Sequence, residues 1–369
     1  MTESNPTRVG LPYPAAALAA ALARGAAGPY EPAPLGLPDA RQAVADEYAR
    51  AGVAVGAGQL LLTASSSESY GFLFKLCCDP GDAVLVPEPS YPLFEYLARL
   101  EGVTTLGYRL AFDGEWHVDF ASLDEAAGAG QRAGHAPRAV VVVNPNNPTG
   151  SYLKRGELER LAAFCRARDL ALVSDEVFAP YPFAPAAERV VCAAAAPEAG
   201  DAPAVFSLGG LSKACGLPHL KLGWIAVAGR ETERSLAALE LIADTYLSVS
   251  TPVQRALPEL LAAGAEIRGR IAARVASNLA ALGGALPAAS ACSLLAAEGG
   301  WSAILRVPSH PTDGDWAVSL ARETSVLVHP GYFFDMRGGT FVVVSLLPAL
   351  DTFAEGIARV VSHIDASLR

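Results

Sequence analysis

Two of the chain's four lysines, Lys213 and Lys221, lie in the segment LSKACGLPHLKLGW, residues 211–224. The other two are Lys75 and Lys154, and arginine supplies every other basic residue. Lys213 follows an apolar run and a Gly-Gly turn, whereas Lys221 precedes the next apolar run. A lysine that is partly desolvated in a crevice loses its proton more easily and attacks carbonyl carbons to form a Schiff base. Spacing alone leaves an ordinary loop lysine as an open alternative at position 213.

Six short apolar segments predict the strands that would position this lysine. They cover residues 59–65, 82–90, 138–145, 170–176, 204–210 and 222–229. Most are continuously apolar, which is typical of strands buried on both faces of a parallel sheet. Helical segments lie between them, so the alternation predicts an α/β domain with a mostly parallel, doubly wound sheet.

The sequence pattern changes near residue 252, where one or two long helices begin. Three further strand segments and a final amphipathic helix follow, which predicts a smaller α+β domain. We therefore expect an arm at 1–30 that packs with the small domain, a large domain at 31–252 and a small domain at 253–369. The Ala- and Pro-rich stretch 193–204 predicts a surface loop.

Polar residues follow the predicted strands at the points where those strands end. In an open parallel sheet, ligands bind beyond the carboxyl ends of the strands. We expect the polar residues there to converge on one crevice. They are Ser65–Ser67, Glu88–Tyr91, Asn144–Asn147, Asp175 and Ser207–Lys213.

Composition narrows the possible partners of the protein. The formal net charge is -10 and no Lys/Arg-rich run occurs, so we expect no nucleic-acid partner. No apolar run reaches membrane-spanning length, and no secretory signal is recognisable, so we expect no membrane partner. The six cysteines lack metal-ligand spacing, which favours reduced thiols in the cytoplasm and no metal site.

Five sequence blocks resemble the class I/II aminotransferases, which are pyridoxal-phosphate (PLP) enzymes of fold type I. The blocks occur in the family's order, and the resemblance covers nearly the whole chain. It implies that fold, with PLP as cofactor, and a homodimer. The blocks are YEPAPLGLPDAR (30–41), PGDAVLVPEPSYP (80–92), NPNNPTG (144–150), SDEVF (174–178) and SLGGLSKACGLPHLKLGW (207–224).

The resemblance implies roles for the residues that match the family's motifs. Lys213 would form the internal aldimine with PLP and move the proton between the substrate Cα and the cofactor. Asp175 would pair with the pyridinium nitrogen, Asn147 would donate to the phenolic oxygen and Tyr91 would stack on the ring.

A second implied set would hold the cofactor's phosphate group. A helix that begins at the three serines would offer free backbone N–H groups and its positive dipole end to the phosphate. Tyr30 would reach the phosphate of the other subunit in the dimer. The implied phosphate residues are Ser65, Ser66, Ser67, Ser212, Lys221 and Tyr30.

The chain departs from the family pattern at two positions that matter for chemistry. Phe178 replaces the tyrosine that usually contacts the phenolic oxygen, and Tyr181 is a possible substitute. Val343 stands where the family usually has an arginine that grips the substrate's α-carboxylate. The candidates for replacing that arginine are Arg337 and Arg8, and Asn5 is a further candidate substrate residue.

The leading hypothesis is an aminotransferase that moves an amino group between an amino acid or amine and a 2-oxo acid. An alternative is another reaction on the same fold, such as elimination, replacement, cyclisation or decarboxylation, in specialised metabolism. A ligand-binding regulator is a third possibility, although the chain shows no helix-turn-helix extension.

Overall fold

The computed structural model describes residues 1–195 and 202–367. Within these ranges the chain builds one sheet of eight strands and one of four, flanked by helices. The strands are β1 Leu60–Thr63, β2 Ala83–Glu88, β3 Thr104–Phe112, β4 Trp116–Val118, β5 Pro137–Val143, β6 Ala171–Asp175, β7 Val205–Gly210, β8 Gly223–Ala228, β9 Ser293–Leu294, β10 Ser302–Val307, β11 His329–Pro330 and β12 Thr340–Ser345. The helices are α1 Ala15–Gly25, α2 Pro38–Arg50, α3 Ser66–Cys77, α4 Leu93–Leu100, α5 Phe120–Ala133, α6 Arg155–Arg168, α7 Leu211–Ala214, α8 Thr232–Tyr246, α9 Thr251–Gly284, α10 Asp313–Ser319 and α11 Leu350–Ala366.

The large sheet has the strand order β1-β8-β7-β6-β5-β2-β3-β4. Strands β7, β6, β5, β2 and β3 run parallel to one another, whereas β8 is antiparallel to both β1 and β7. The predicted α/β class and the mostly parallel sheet are therefore confirmed. All six predicted strand segments are strands, and each is buried along most of its length.

Strands β3 and β4 were not predicted from the sequence. They form an antiparallel pair at one edge of the large sheet, with Phe112 opposite Trp116. Most residues of β3 are half-buried or exposed. β3 lacks the continuous apolar run that is typical of an interior strand, so its sequence did not predict a strand.

Helices cover both faces of the large sheet because alternate side chains of its strands are apolar on both sides. Leu61 and Val84 point into a core shared with α3, α4 and α8. Leu60 and Leu85 point into a second core shared with α2, α5, α6 and α9. This two-sided burial leaves the carboxyl ends of the parallel strands as the accessible edge of the sheet.

The smaller sheet has the order β11-β12-β10-β9, and all of its neighbouring strands are antiparallel. The long helix α9 has 34 residues, and α1 packs against it. Met1 is tied to this sheet, because its carbonyl accepts a 2.8 Å hydrogen bond from Ser345 N. The limits proposed for the arm and the two domains remain predictions.

The stretch predicted as a surface loop at 193–204 is only partly described. Ala193–Ala195 form a short 3-10 turn in which Ala193 and Ala194 are buried, so this part is not a surface loop. Residues 196–201 lie outside the described residues. Within the described ranges, no helix has the length and apolarity needed to cross a membrane.

Candidate active site

Lys213 lies in α7, a four-residue helix that begins directly after β7. The preceding Gly209 and Gly210 allow β8 to pack closely here. A Cβ on Gly209 would collide with the indole of Trp224, and one on Gly210 would lie 3.2 Å from Gly223 Cα. The glycine pair therefore sets the backbone path that carries Lys213 to the carboxyl end of the sheet.

The side chain of Lys213 is enclosed mainly by aromatic rings. Its Nζ lies 5.2 Å from the ring centre of Trp301 and 5.5 Å from that of Phe178. Within the described part of the chain, Nζ makes no hydrogen bond and no ion pair. Burial lowers the pKa of Lys213, and the negative charge of Asp175 opposes this effect.

Asp175 ends β6 and is buried on the same side of the site. Its Oδ2 accepts a 3.0 Å hydrogen bond from the Tyr70 hydroxyl, and its Oδ1 accepts a 3.2 Å bond from Val177 N. Burial raises the pKa of Asp175, while these two hydrogen bonds and the charge of Lys213 act in the opposite direction. The carboxylate is thus held in a fixed orientation within electrostatic reach of Lys213.

The loop after β5 brings Asn147 to the same edge of the sheet. Asn147 Oδ1 accepts a 3.2 Å hydrogen bond from the Ser302 hydroxyl at the start of β10. Its neighbour Asn146 donates from Nδ2 to Pro89 O at 2.9 Å and accepts from the Ser90 hydroxyl at 3.1 Å. These bonds fasten the loop after β2, which carries Tyr91, beside the loop that carries Asn147.

Tyr91, which follows Ser90 in the loop after β2, is 51 % exposed. A surface-exposed tyrosine with this placement has room to cover a planar ligand. The loop after β2 also contacts the segment between β11 and β12 of the smaller sheet, because Ser90 N donates a 3.0 Å hydrogen bond to Phe334 O.

The three serines predicted to bind phosphate form the start of α3. Ser65 is the N-cap and accepts a 3.2 Å hydrogen bond from Glu68 N, while Ser66 and Ser67 are the first helical residues. First-turn N–H groups have no acceptor within their own helix, and they carry the positive end of its dipole. This end of α3 is therefore suited to an anion.

The segment that ends α7 and enters β8 passes close to the start of α3. A Cβ on Gly223 would lie 3.2 Å from the Ser65 carbonyl carbon and 3.1 Å from the Thr63 hydroxyl. Lys221, two residues earlier, is exposed and has a left-handed backbone with φ 49°. Ser212 is half-buried in α7. The start of β8 therefore lies against the N-terminus of α3, and the phosphate roles of Ser212 and Lys221 remain predictions.

The remaining predicted residues lie farther from the lysine's immediate surroundings. Tyr30 is 67 % exposed and lines a surface groove with Leu247. Arg8 is exposed and lies 3.7 Å from Glu3, and Asn5 caps a short 3-10 turn by accepting a 3.0 Å bond from Thr7 N. The phosphate role of Tyr30 and the substrate roles of Arg8 and Asn5 remain predictions.

Arg337 forms an ion pair with Glu88, with 3.0 Å between Nη2 and Oε2, and its side chain is 74 % exposed. Because Glu88 ends β2, two residues before Ser90, Arg337 lies at the side of the crevice that carries Tyr91. An exposed guanidinium at the edge of the crevice can exchange the carboxylate of Glu88 for another carboxylate.

The structure shows the contacts of Tyr181 and Val343, which concern the two departures from the family pattern. The Tyr181 hydroxyl donates a 2.6 Å hydrogen bond to the Lys213 carbonyl, so its proton is already used. Val343 is buried in an apolar cluster with Trp116, Ile304 and Phe334. In the described structure, Tyr181 thus supports the backbone of α7, and position 343 supports packing.

Sequence reasoning missed three residues that shape this site. Tyr70 holds Asp175, Trp301 covers Lys213, and Ser302 donates to Asn147. Tyr70 is five residues after the N-cap of α3, and the other two follow a Gly-Gly pair at the start of β10. A Gly-Gly-Trp-Ser string before a strand was an available signal, but nothing in it indicated a contact with Lys213.

Known proteins resemble this chain along most of its length. Residues 5–352 match the profile of the family described as aminotransferase class I and II. The valine–pyruvate aminotransferase of Mycobacterium tuberculosis is 30 % identical over 339 residues, which cover 89 % of this chain and 82 % of that protein. This chain therefore belongs to the class I and II aminotransferase family, and the resemblance read from its motifs is confirmed.

Other relatives match over a smaller part of their length. Nicotianamine aminotransferase 1 of Oryza sativa subsp. japonica is 28 % identical over 240 residues, which cover 62 % of this chain and 45 % of that protein. The chain spans about half the length of the plant nicotianamine aminotransferases that it matches.

The fold is shared with solved aminotransferases. The crystal structure of tyrosine aminotransferase from Leishmania infantum superposes with a TM-score of 0.84 at 21 % identity, covering 99 % of this chain and 91 % of that one. The predicted fold type I architecture is thereby confirmed.

Proposed function

We propose that this protein is a PLP-dependent aminotransferase that transfers an amino group between an amino acid or amine and a 2-oxo acid. One observation carries the proposal: the half-buried Lys213, whose amine makes no hydrogen bond within the described structure, interacts electrostatically with the buried carboxylate of Asp175 at the carboxyl ends of the parallel strands. Membership of the aminotransferase family supports it.

The residues of the crevice fit PLP by their chemistry. The N-terminus of α3 with Ser65, Ser66 and Ser67, together with Ser212 and Lys221, would hold the phosphate. Asp175 would pair with the ring nitrogen, Asn147 would donate to the ring oxygen, and Tyr91 would cover a ring face. The amine of the half-buried Lys213, which makes no hydrogen bond among the described residues, would hold the aldehyde carbon.

Bound PLP supplies an electrophilic carbon and a ring that withdraws electrons from the substrate. The chain's own contribution begins with Lys213, whose burial favours the neutral amine that acts as nucleophile and base. Asp175 contributes a carboxylate that burial destabilises, so a cationic partner would lower its free energy. Tyr70 orients that carboxylate through its 3.0 Å hydrogen bond.

For the substrate's carboxylate we propose Arg337 as the first candidate ligand. Its guanidinium is exposed at the crevice edge and pairs with Glu88, from which a substrate carboxylate could displace it. Arg8 and Asn5 of the arm remain further candidates. Val343 is not proposed, because an apolar side chain offers no donor.

We propose a homodimer in which Tyr30 reaches the partner's phosphate site. Support comes from exposed apolar side chains on the helices that cover one sheet face: Tyr96 and Leu100 of α4, and Leu241 and Tyr246 of α8. Tyr30 itself lines a groove with Leu247, directly after α8. We also propose the cytoplasm as the compartment, because all six cysteines are free thiols.

Borohydride reduction of the purified protein with PLP, followed by peptide mass spectrometry, tests the proposed anchor. We expect the reduced cofactor on Lys213 and on none of the other three lysines. Lys213→Ala should abolish both the adduct and turnover. Lys75→Ala is the matched control, because Lys75 pairs with Glu101 outside the site, and it should keep both. An adduct on another lysine, or turnover by Lys213→Ala, would overturn the assignment.

A further inference from the structure

Trp301 and Phe178 form an aromatic corner around the Lys213 amine. The two rings meet edge to face, with 5.2 Å between their centres and an interplanar angle of 76°. Lys213 Nζ lies within 5.5 Å of both ring centres, which is within the range of a cation–π interaction. Each ring can therefore stabilise the ammonium form of this amine.

Trp301 is held rigidly in this position. It is 4 % exposed, and its ring also packs at 5.1 Å against Tyr181, whose hydroxyl binds the Lys213 carbonyl. The Trp301 carbonyl accepts a 2.8 Å hydrogen bond from Leu346 N. The Trp301 backbone is thus bonded to Leu346, and its ring packs against Tyr181.

The other polar groups around the amine come from several elements. Asp175 of β6 supplies the negative charge that acts on Lys213, and Tyr70 of α3 is bonded to that carboxylate. Farther out, Arg268 of α9 pairs with Glu47 of α2 at 2.7 Å, and both act on the buried Cys215 thiol. Among the described residues the amine itself touches no hydrogen-bond acceptor, so the aromatic faces are its nearest stabilising contacts.

We propose that Trp301 is a positioning residue for Lys213, and that the face of its indole, with Phe178, holds the free amine and stabilises its ammonium form. The inference rests on the proposed function, because it concerns the lysine that would carry the cofactor. Burial and the aromatic corner act in opposite directions on the protonation of this amine. The aromatic corner therefore offsets part of the loss of ammonium stability that burial causes.

The chain's four lysines make a direct test practical. The full-length protein, freed of cofactor, is acetylated with a trace of acetic anhydride across a pH series, and each lysine is quantified by peptide mass spectrometry. We expect Trp301→Leu to lower the pH midpoint of Lys213 acetylation by about 0.5 to 1 unit, the size expected from a desolvated cation–π contact. Trp301→Phe should lower this pH midpoint by about half as much, because a phenyl ring makes a weaker cation–π interaction than an indole.

Two controls separate this effect from loss of packing. The midpoint of the exposed Lys221 should stay the same in every variant. Trp316→Leu removes another buried tryptophan, whose indole donates to Pro308 O far from Lys213, and it should leave the Lys213 midpoint unchanged. If Trp301→Leu fails to fold, Phe178→Leu removes the other ring and should shift the midpoint in the same direction.

An unchanged Lys213 midpoint in folded Trp301→Leu, or in folded Phe178→Leu when that variant replaces it, would overturn the inference. So would an equal shift in Trp316→Leu. Borohydride mapping of the wild-type protein reports separately on the proposed function, because it depends on where PLP attaches and not on the lysine's midpoint. An adduct at Lys213 with an unshifted midpoint would refute only the role of Trp301.

Discussion

The Tyr70 hydroxyl donates a 3.0 Å hydrogen bond to Asp175 Oδ2, and both side chains are buried. The bond joins α3, whose N-terminus is proposed to bind the phosphate of PLP, to the carboxylate that is proposed to pair with the ring nitrogen. A charged acceptor gains more from such a bond than a neutral one does. One hydroxyl thus ties the orientation of Asp175 to the position of α3.

Tyr70→Phe should weaken PLP binding about tenfold, because the bond to a charged group contributes roughly 1.5 kcal/mol or more. The substitution should also raise the pKa of Asp175 further, since a bond that stabilises the carboxylate is lost. Titration of the cofactor into the apoprotein measures the dissociation constant. Tyr108→Phe is the matched control, because the buried Tyr108 hydroxyl donates to Val141 O at 2.8 Å. Equal PLP affinity in Tyr70→Phe and the wild type would contradict the role of Tyr70.

Glu176 should make the protein less stable as pH rises. Burial raises the pKa of this carboxyl from 4.5 to about 7, and its Oε2 has no hydrogen-bond partner among the described residues. The unfolded chain releases this proton near pH 4.5 and the native protein releases it near pH 7. Stability is therefore lost progressively across that window, by roughly 3 kcal/mol in total.

Glu176→Gln keeps the shape of the side chain and removes the titration. We expect its melting temperature to exceed that of the wild type at about pH 8.5, and the difference to shrink toward about pH 5. Thermal unfolding at both pH values measures this effect. A constant difference between the two proteins at both pH values would show that Glu176 does not titrate in this window.

Val343→Arg should destabilise the protein by several kcal/mol, because it places a charge in the cluster formed with Trp116 and Phe334. It should not improve the binding of carboxylate substrates. The control is Val318→Arg, since Val318 is 50 % exposed on α10 and its substitution should cost little. A stable Val343→Arg variant with a lower KM would mean that position 343 faces the substrate after all.

The proposed dimer can be broken at its exposed apolar side chains. Leu100 and Leu241 are 81 % and 73 % exposed, on α4 and α8 respectively. Light scattering should give twice 38.2 kDa for the wild type and a single chain for Leu100→Asp/Leu241→Asp. Val318→Asp should remain dimeric. A monomeric wild type, or a dimeric double variant, would contradict this surface as the interface.

The strand that ends at Asp175 and the strand that leads to Lys213 could be predicted from the sequence because both lie in continuous apolar runs. Such runs identify interior strands, and the position of the strand ends then identifies the edge where polar residues meet. The same reasoning failed for β3, which is largely half-buried or exposed and lies next to the edge strand β4. Its residues carry no strong period or apolar run.

The partners of Lys213 and Asp175 could not be predicted in the same way. Tyr70 and Asp175 are separated by 105 residues, and their contact depends on how α3 packs over the sheet. Trp301 reaches Lys213 from the start of β10 in the smaller sheet. A buried aromatic residue reads as core from its sequence context alone, so its contact with a reactive amine appears only in three dimensions.

The most direct test of the central claim is a donor-only reaction. The protein with PLP is mixed with each of a panel of amino acids and amines without any 2-oxo acid, and the carbonyl product and ammonia are quantified. Transamination predicts one equivalent of carbonyl product per site and no ammonia, followed by continuous turnover once a 2-oxo acid is added. Continuous release of ammonia or carbon dioxide from the donor alone would contradict the claim and indicate elimination or decarboxylation on the same fold.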